Sequence, residues 1–348
     1  MKRQSLILFC LLLILSSCQW HFSSWFSDET GQEGKIYRYD RLVDEFVSLN
    51  SFSALQRMNT EYPQETRLLI EDVLEIGHVQ DSHIEQRLRE FYLDSTMQVL
   101  FEAVHQEFGD LHREEAELGR VFKKLKDIDP DFCIPHLYSQ ISGLNQSIVV
   151  GDSVLGISLD KYLGEDFPLY KKYYYACQRR QFKRERIVPD VLYYYLSNEY
   201  PLSLTHNHTF LDFMVDYGKL TWVVAKLRNV SPFEQAGISE EREQLYRQYE
   251  QTGWQWIMQH DALQTTDLTV IREFMAPRPQ ALVSVFLRRL CSRGGERLAG
   301  MPGQIGIWYG IKIVDSFMKK NSDVTIKDLL YMTDYRALYE KSAFKLKK

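Results

Sequence analysis

The 348-residue sequence predicts a mainly helical α+β protein with a small antiparallel sheet. Three observations carry that reading. Apolar residues recur at three- and four-residue spacing through most of the chain, as amphipathic helices require. After Asp129-Pro130 the pattern changes: Ile134–Ile141 and Ser147–Leu159 alternate and are rich in β-branched residues. The second of these folds back at Val150-Gly151-Asp152-Ser153 as a hairpin. Late in the chain, Met301–Lys320 carries a helical stripe of Ile307, Ile311, Val314 and Met318, with Pro302 placed in its first turn. Gly303, Gly306 and Gly310 align on a neighbouring face. Glycine inside a helix costs about 1 kcal/mol relative to alanine, so these residues point to a second backbone passing close by. This helix is expected to be a buried strut at the centre of the fold.

The chain opens with Lys2 and Arg3 ahead of an apolar run, Leu6–Leu15. A helix crossing a bilayer needs about 20 such residues, so the run is too short to span and reads as a secretory leader. It ends in Leu15-Ser16-Ser17-Cys18, which resembles the lipobox of bacterial lipoproteins. On that resemblance residues 1–17 are a signal peptide, Cys18 carries lipid, and 18–35 form a polar tether with interspersed aromatics. Loss of Lys2 and Arg3 takes the net charge from −5 to about −7, which argues against a nucleic-acid partner. The cysteines beyond Cys18 are Cys133, Cys177 and Cys291; an odd number at wide spacing is no disulfide framework.

Residues 36–130 read as an N-terminal helical region opened by Arg38-Tyr39-Asp40. Two helices are separated near Tyr62-Pro63, a longer one runs from a cap at Asp81 through Phe101, and another follows Asp110. Glu75/His78 and Glu102/His105 have the i, i+3 spacing of di-iron bundles. The further glutamates such a site needs are missing, and Gly77 interrupts the first pair.

Residues 131–348 read as the α+β region, packed with the preceding helices as one unit. Its second strand runs into Gly156-Ile157-Ser158-Leu159-Asp160 and then a short helical turn, Lys161-Tyr162-Leu163-Gly164. The stretch Tyr170–Tyr200 interleaves tyrosines with Lys171, Lys172, Arg179, Arg180, Lys183, Arg184 and Arg186, as expected of a solvated face with tyrosines at the core edge. Helices then follow from Pro189-Asp190, over Thr209–Arg228 and over Phe233–Gln251. A hairpin, a helix, a second helix with a central glycine and a last helix with small-residue spacing together look like a degenerate zincin-type metallopeptidase. Such enzymes carry H-E-x-x-H on the first helix and a third ligand on the second. Here the first helix reads VPDVLYYYLSNEYP without histidine, and Tyr217 stands where a carboxylate would coordinate. The chain has no H-E-x-x-H, P-loop, G-x-G-x-x-G or G-x-S-x-G. No cofactor and no catalytic residue is assigned. The cleft and packing candidates are Asp160, Tyr217, Gly218, Lys219, Gly306 and Gly310. An active metallohydrolase using His206, His208 and Asp216, or a module binding a peptide or glycan in the old cleft, are the alternatives.

Arg38-Tyr39-Asp40, the Gly156–Gly164 motif, Gly218-Lys219, Pro302–Gly310 with Lys312-Ile313-Val314, and Ser342-Ala343-Phe344-Lys345 together resemble the gliding-motility lipoprotein GldB family of Bacteroidetes-type bacteria. Tyr217 departs from the acidic residue more common before the glycine-lysine pair. The resemblance implies a non-catalytic accessory protein of gliding or type IX secretion. It also implies a lipid anchor in the outer membrane, facing the periplasm, and envelope proteins as partners.

Overall fold

The computed structural model describes residues 33–202, 207–277 and 300–346. The signal peptide, Cys18, the tether through residue 32, His206 and Cys291 lie outside these residues. A four-stranded sheet is the organising element, with strands β1 (Ile36–Tyr37), β2 (His136–Gln140), β3 (Ile148–Val150) and β4 (Val154–Ser158). Their order is β1-β2-β4-β3. The sheet is mixed, not antiparallel as expected: β1 with β2 and β2 with β4 are parallel, and only the β3–β4 hairpin is antiparallel. The cause is the connection 141–147, which carries the chain past one strand position and leaves a gap that β4 fills. Gly143 and Leu144 turn that connection with φ of 64° and 68°. Within the sheet, Gly156 faces Tyr138 in register, and the Tyr138 ring covers the space a side chain at 156 would occupy.

Helices α1 (Tyr39–Leu49), α2 (Phe52–Thr60) and α3 (Pro63–Arg67) precede the sheet's central strands, and α3 runs on into a π-helical turn, Leu68–Val73. The helix expected from Asp81 to Phe101 is two, α4 (Ile84–Leu93) and α5 (Ser95–Glu107). Asp94 breaks it: its backbone leaves the helical region at ψ 139°, and its carboxylate accepts from Thr96 N to cap the second piece. Then comes α6 (His112–Ile128).

After the hairpin, short helices α7 (Pro168–Tyr173) and α8 (Ala176–Arg179) lead to α9 (Ile187–Glu199), which packs on β3 and β4. Next is α10 (Phe210–Arg228), opened by a reciprocal cap in which Thr209 N donates to Asp212 and Asp212 N donates to Thr209 Oγ1. The helix expected at 233–251 is split into α11 (Pro232–Gln235) and α12 (Glu240–Gln259), with Gly237 turning at φ 71° between them. After α13 (Leu268–Met275) the central strut is α14 (Ile305–Lys320), followed by α15 (Ile326–Tyr331) and α16 (Tyr335–Ser342). Pro302 lies ahead of α14, because Gln304 adopts a left-handed conformation (φ 66°) and the helix starts after it. Helices α10 and α14 form the most extensive helix pair, and both are buried along most of their length. Trp308 on α14 is sandwiched between Phe233 at 4.3 Å and Tyr246 at 5.3 Å, and its indole N–H donates to Glu250 at 2.9 Å. Gly34–Lys348 form one compact unit.

A tyrosine-lined cavity between α9, α10 and α14

Where α9, α10 and the start of α14 converge, they enclose a cavity of about 330 Å³. Arg186, in the turn before α9, crosses its inner wall. Its guanidinium donates to Asp190 Oδ1 at 2.6 Å and to the Gln235 carbonyl at 2.6 Å. Asp190 also accepts from the Tyr162 hydroxyl at 3.1 Å. Burial pushes the Asp190 carboxyl above its ordinary range, against the opposing pull of Arg186 and of the hydroxyl. The remaining wall is phenolic. The Tyr193 ring lies 4.8 Å from that of Tyr217 and 5.5 Å from that of Tyr194. Tyr194 is 47% exposed, at the mouth. Burial raises the pKa of Tyr193 and Tyr217, so both stay neutral phenols. A neighbouring cavity of about 290 Å³ is lined mainly by charged groups, among them the pairs Arg184–Glu114 and Arg228–Glu117.

The six sequence candidates do not share this site. Only Tyr217 lines it. Gly218 meets Gly310 backbone to backbone, and a Cβ at Gly310 would overlap the Met214 carbonyl. A Cβ at Gly306 would lie 2.6 Å from Met275 Sδ and 2.9 Å from the Phe210 ring. Lys219 is 1% exposed and reaches the Leu330 and Met332 carbonyls, the Tyr335 hydroxyl and Asp216 at 3.3 to 3.5 Å. Tyr335 in turn donates to Asp216 at 2.8 Å. Burial lowers the Lys219 pKa and raises that of Asp216, while their attraction opposes both shifts. Asp160 staples the β2–β3 connection: it accepts from Ser142 N at 2.9 Å and Leu144 N at 2.6 Å. Asp160, just past β4, thus ties that strand's end to the connection that leaves β4 its place.

Arg186, Asp190, Tyr193, Tyr194, Gln181 and Gln304 are the cavity residues that sequence reasoning left unassigned. The i, i+4 spacing of Arg186 and Asp190 was the available signal. Nothing local marks such a pair as buried.

The described lining of the cavity offers no set of zinc ligands. Among the described residues no group of three or more His, Cys, Asp or Glu is placed to hold a metal. Asp190 is engaged by Arg186 and Tyr162, and neutral phenols are poor ligands. His208 lies 3.9 Å from Asp212 at the start of α10, and His206 lies outside the described residues.

Fold and cavity together define a mainly helical α+β protein with an aromatic cleft, in whose described lining Arg186 and Asp190 pair with each other. The chain belongs to the gliding motility protein GldB family, whose model matches residues 27–346. No curated protein and no solved structure matches it significantly. Among the described residues no helix is long and apolar enough to cross a membrane.

Proposed function

We propose that the chain is a lipid-anchored, non-catalytic accessory protein of the cell envelope. It works through protein partners of a gliding or type IX secretion apparatus at the periplasmic face of the outer membrane. The observation that carries this reading is membership of the gliding-motility family over residues 27–346. The Leu15-Ser16-Ser17-Cys18 sequence supplies the anchor, since each buried acyl CH₂ contributes about 0.8 kcal/mol of membrane affinity. The scaffold is read as a degenerate zincin. What supports that reading is that α9 lies against β3 and β4 with α10 beside it, and that Tyr193, Tyr217 and the Arg186-bound Asp190 line the cavity between these helices.

Cells expressing the wild type or Cys18→Ala, fed a palmitate analogue, test the anchor. Label and envelope retention are expected in the wild type alone, and equal labelling removes the anchor. The wild-type lipoprotein, purified and mildly chelated, is expected to hold far less than one zinc per chain. Near-stoichiometric zinc, lost on His208→Ala, would reinstate a metallohydrolase.

A further inference from the structure

The sheet ends in β1 on one side and β3 on the other, and the two edges are finished differently. We infer that the β3 edge is a docking site for an extended polypeptide, which joins the sheet as a further strand. This names the chemistry of the protein partners proposed above and rests on that reading.

The register decides which backbone groups of β3 point outwards. In an antiparallel pair, residues that exchange both backbone hydrogen bonds alternate with residues that exchange none. Ser158 N donates to the Ser147 carbonyl and Gly151 N to the Val154 carbonyl, each at 2.9 Å, so both of these are bonded pairs. Val149 opposite Gly156 is the bonded pair between them. The N–H and C=O of Ile148 and of Val150 therefore point away from β4, on the side where the sheet ends. Among the described residues none of these four groups has a hydrogen-bond partner.

Backbone polar groups are almost always paired or hydrated. Helix α9 packs against β3, but a helix spends its backbone groups within itself and leaves these four to water. Two donors and two acceptors recur here at the two-residue spacing of a strand, about 6.8 Å. An extended polypeptide carries the same groups at the same repeat, and pairing of main chain with main chain is a recurring mode of peptide recognition.

The opposite edge shows what closure looks like. Ahead of β1, Gly34 is wedged onto Gly119 of α6, and the Ile36 N–H is taken by the Glu115 carboxylate at 3.0 Å. Exposed edges are commonly blunted by a lysine, a proline or a bulge, which keep other chains from pairing. β3 reads Ile-Val-Val in unbroken register and has none of these; its shortness limits pairing to the four groups named. The Ile148 and Val150 side chains are only partly buried, which leaves apolar surface for those of the added strand. Ser147, just ahead of β3, also lines the tyrosine cavity, so the added strand passes beside it.

The test pans the detergent-purified full-length lipoprotein against a phage-displayed library of random decapeptides, then titrates the best binder as a synthetic peptide by calorimetry. A Kd of about 10 μM to 1 mM is expected. Methylating alternate amide nitrogens of the peptide is expected to weaken binding about tenfold or more in one phase and to leave the other phase within about threefold. Ile148→Pro deletes an outward N–H without touching the ladder to β4 and is expected to cost about tenfold or more. Ile148→Thr keeps that N–H and is expected to bind within about threefold of the wild type. Urea midpoints check that both variants fold, and the methylation comparison decides the matter even if the proline variant does not. The site is overturned if no peptide binds below about 1 mM, or if binding ignores the methylation phase. Slow hydrogen exchange of the Ile148 and Val150 amides in the free protein would also overturn it, by showing the edge already covered by another part of this chain. Dimerisation lost on Ile148→Pro would overturn it in favour of a second copy. Failure of the site leaves the accessory reading standing, whereas cleavage of a bound peptide would keep the site and overturn the non-catalytic reading.

Discussion

Tyr217, Gly218 and Lys219 are neighbours on α10, yet each serves a different environment. Tyr217 lines the open cavity, Gly218 is pressed against the backbone of α14, and Lys219 is buried under the carboxyl-terminal helices. The seam at Gly218 tolerates no added atom, because backbone cannot move aside as a side chain can. The cluster at Lys219 is buried but polar, so its stability depends on each charge keeping its partner. At Tyr217 the wall has room. One turn of helix thus passes from sealed packing to a usable surface, and the difference lies in what faces it.

The sealed face is the first place to break the comparison. Gly310→Leu would drive a side chain into the Met214 carbonyl. Overpacking usually costs about 1–3 kcal/mol, and rigid backbone places this case at or above about 3 kcal/mol. A urea midpoint equal to the wild type would mean that the seam is loose and the contrast with the cavity false. The polar face sharpens it. Lys219→Met removes the cation beside Asp216, leaving the Tyr335 hydroxyl as its remaining bond. Removing one partner of a buried pair typically costs 3–5 kcal/mol, but Asp216 can escape part of that by taking a proton, which brings the expected loss to about 2–3 kcal/mol. Its pKa is already raised by burial and rises further without the lysine. The folded variant therefore binds more protons than the unfolded chain between the ordinary carboxylate range and that raised value, so its stability falls as pH rises through this window. Unfolding curves at pH 5 and pH 8 should show the larger deficit at pH 8. A deficit that does not change with pH would mean Asp216 stays ionised.

Much of the helical architecture was legible because periodicity reports burial directly. Thr209–Arg228 and the strut through Ile307, Ile311 and Val314 appear where their apolar stripes place them. The glycines were legible for a different reason: a residue that weakens a helix must be compensated, and Gly218 and Gly310 compensate each other. The mixed sheet was not. Strand β1 is two residues long and finds its partner about a hundred positions later, too short for any alternation and too distant for any local signal. The break at Asp94 was hidden because apolar spacing continues across it. The cavity was the least visible feature, since its wall joins Ser147, Arg186, Tyr217 and Ile307 from four separate stretches. The tyrosines of α9 carry no mark that separates a cavity wall from a core edge.

The start of the folded unit has a mechanical consequence. Gly34, at φ 94°, is wedged against the backbone of α6 at Gly119. Two residues later the Ile36 amide donates to Glu115 at 3.0 Å. Arg38 then grips Asp40 through two bonds and the Phe108 carbonyl at 2.7 Å, and Asp40 accepts from Ser139 on β2. In a chain held by its amino-terminal end, tension would enter at residue 34 and divide at once among α6, the end of α5 and the middle of the sheet. Contacts loaded together yield at a higher force than contacts peeled one at a time. The fold can therefore bear a pull applied at residue 34 without α1 fraying first.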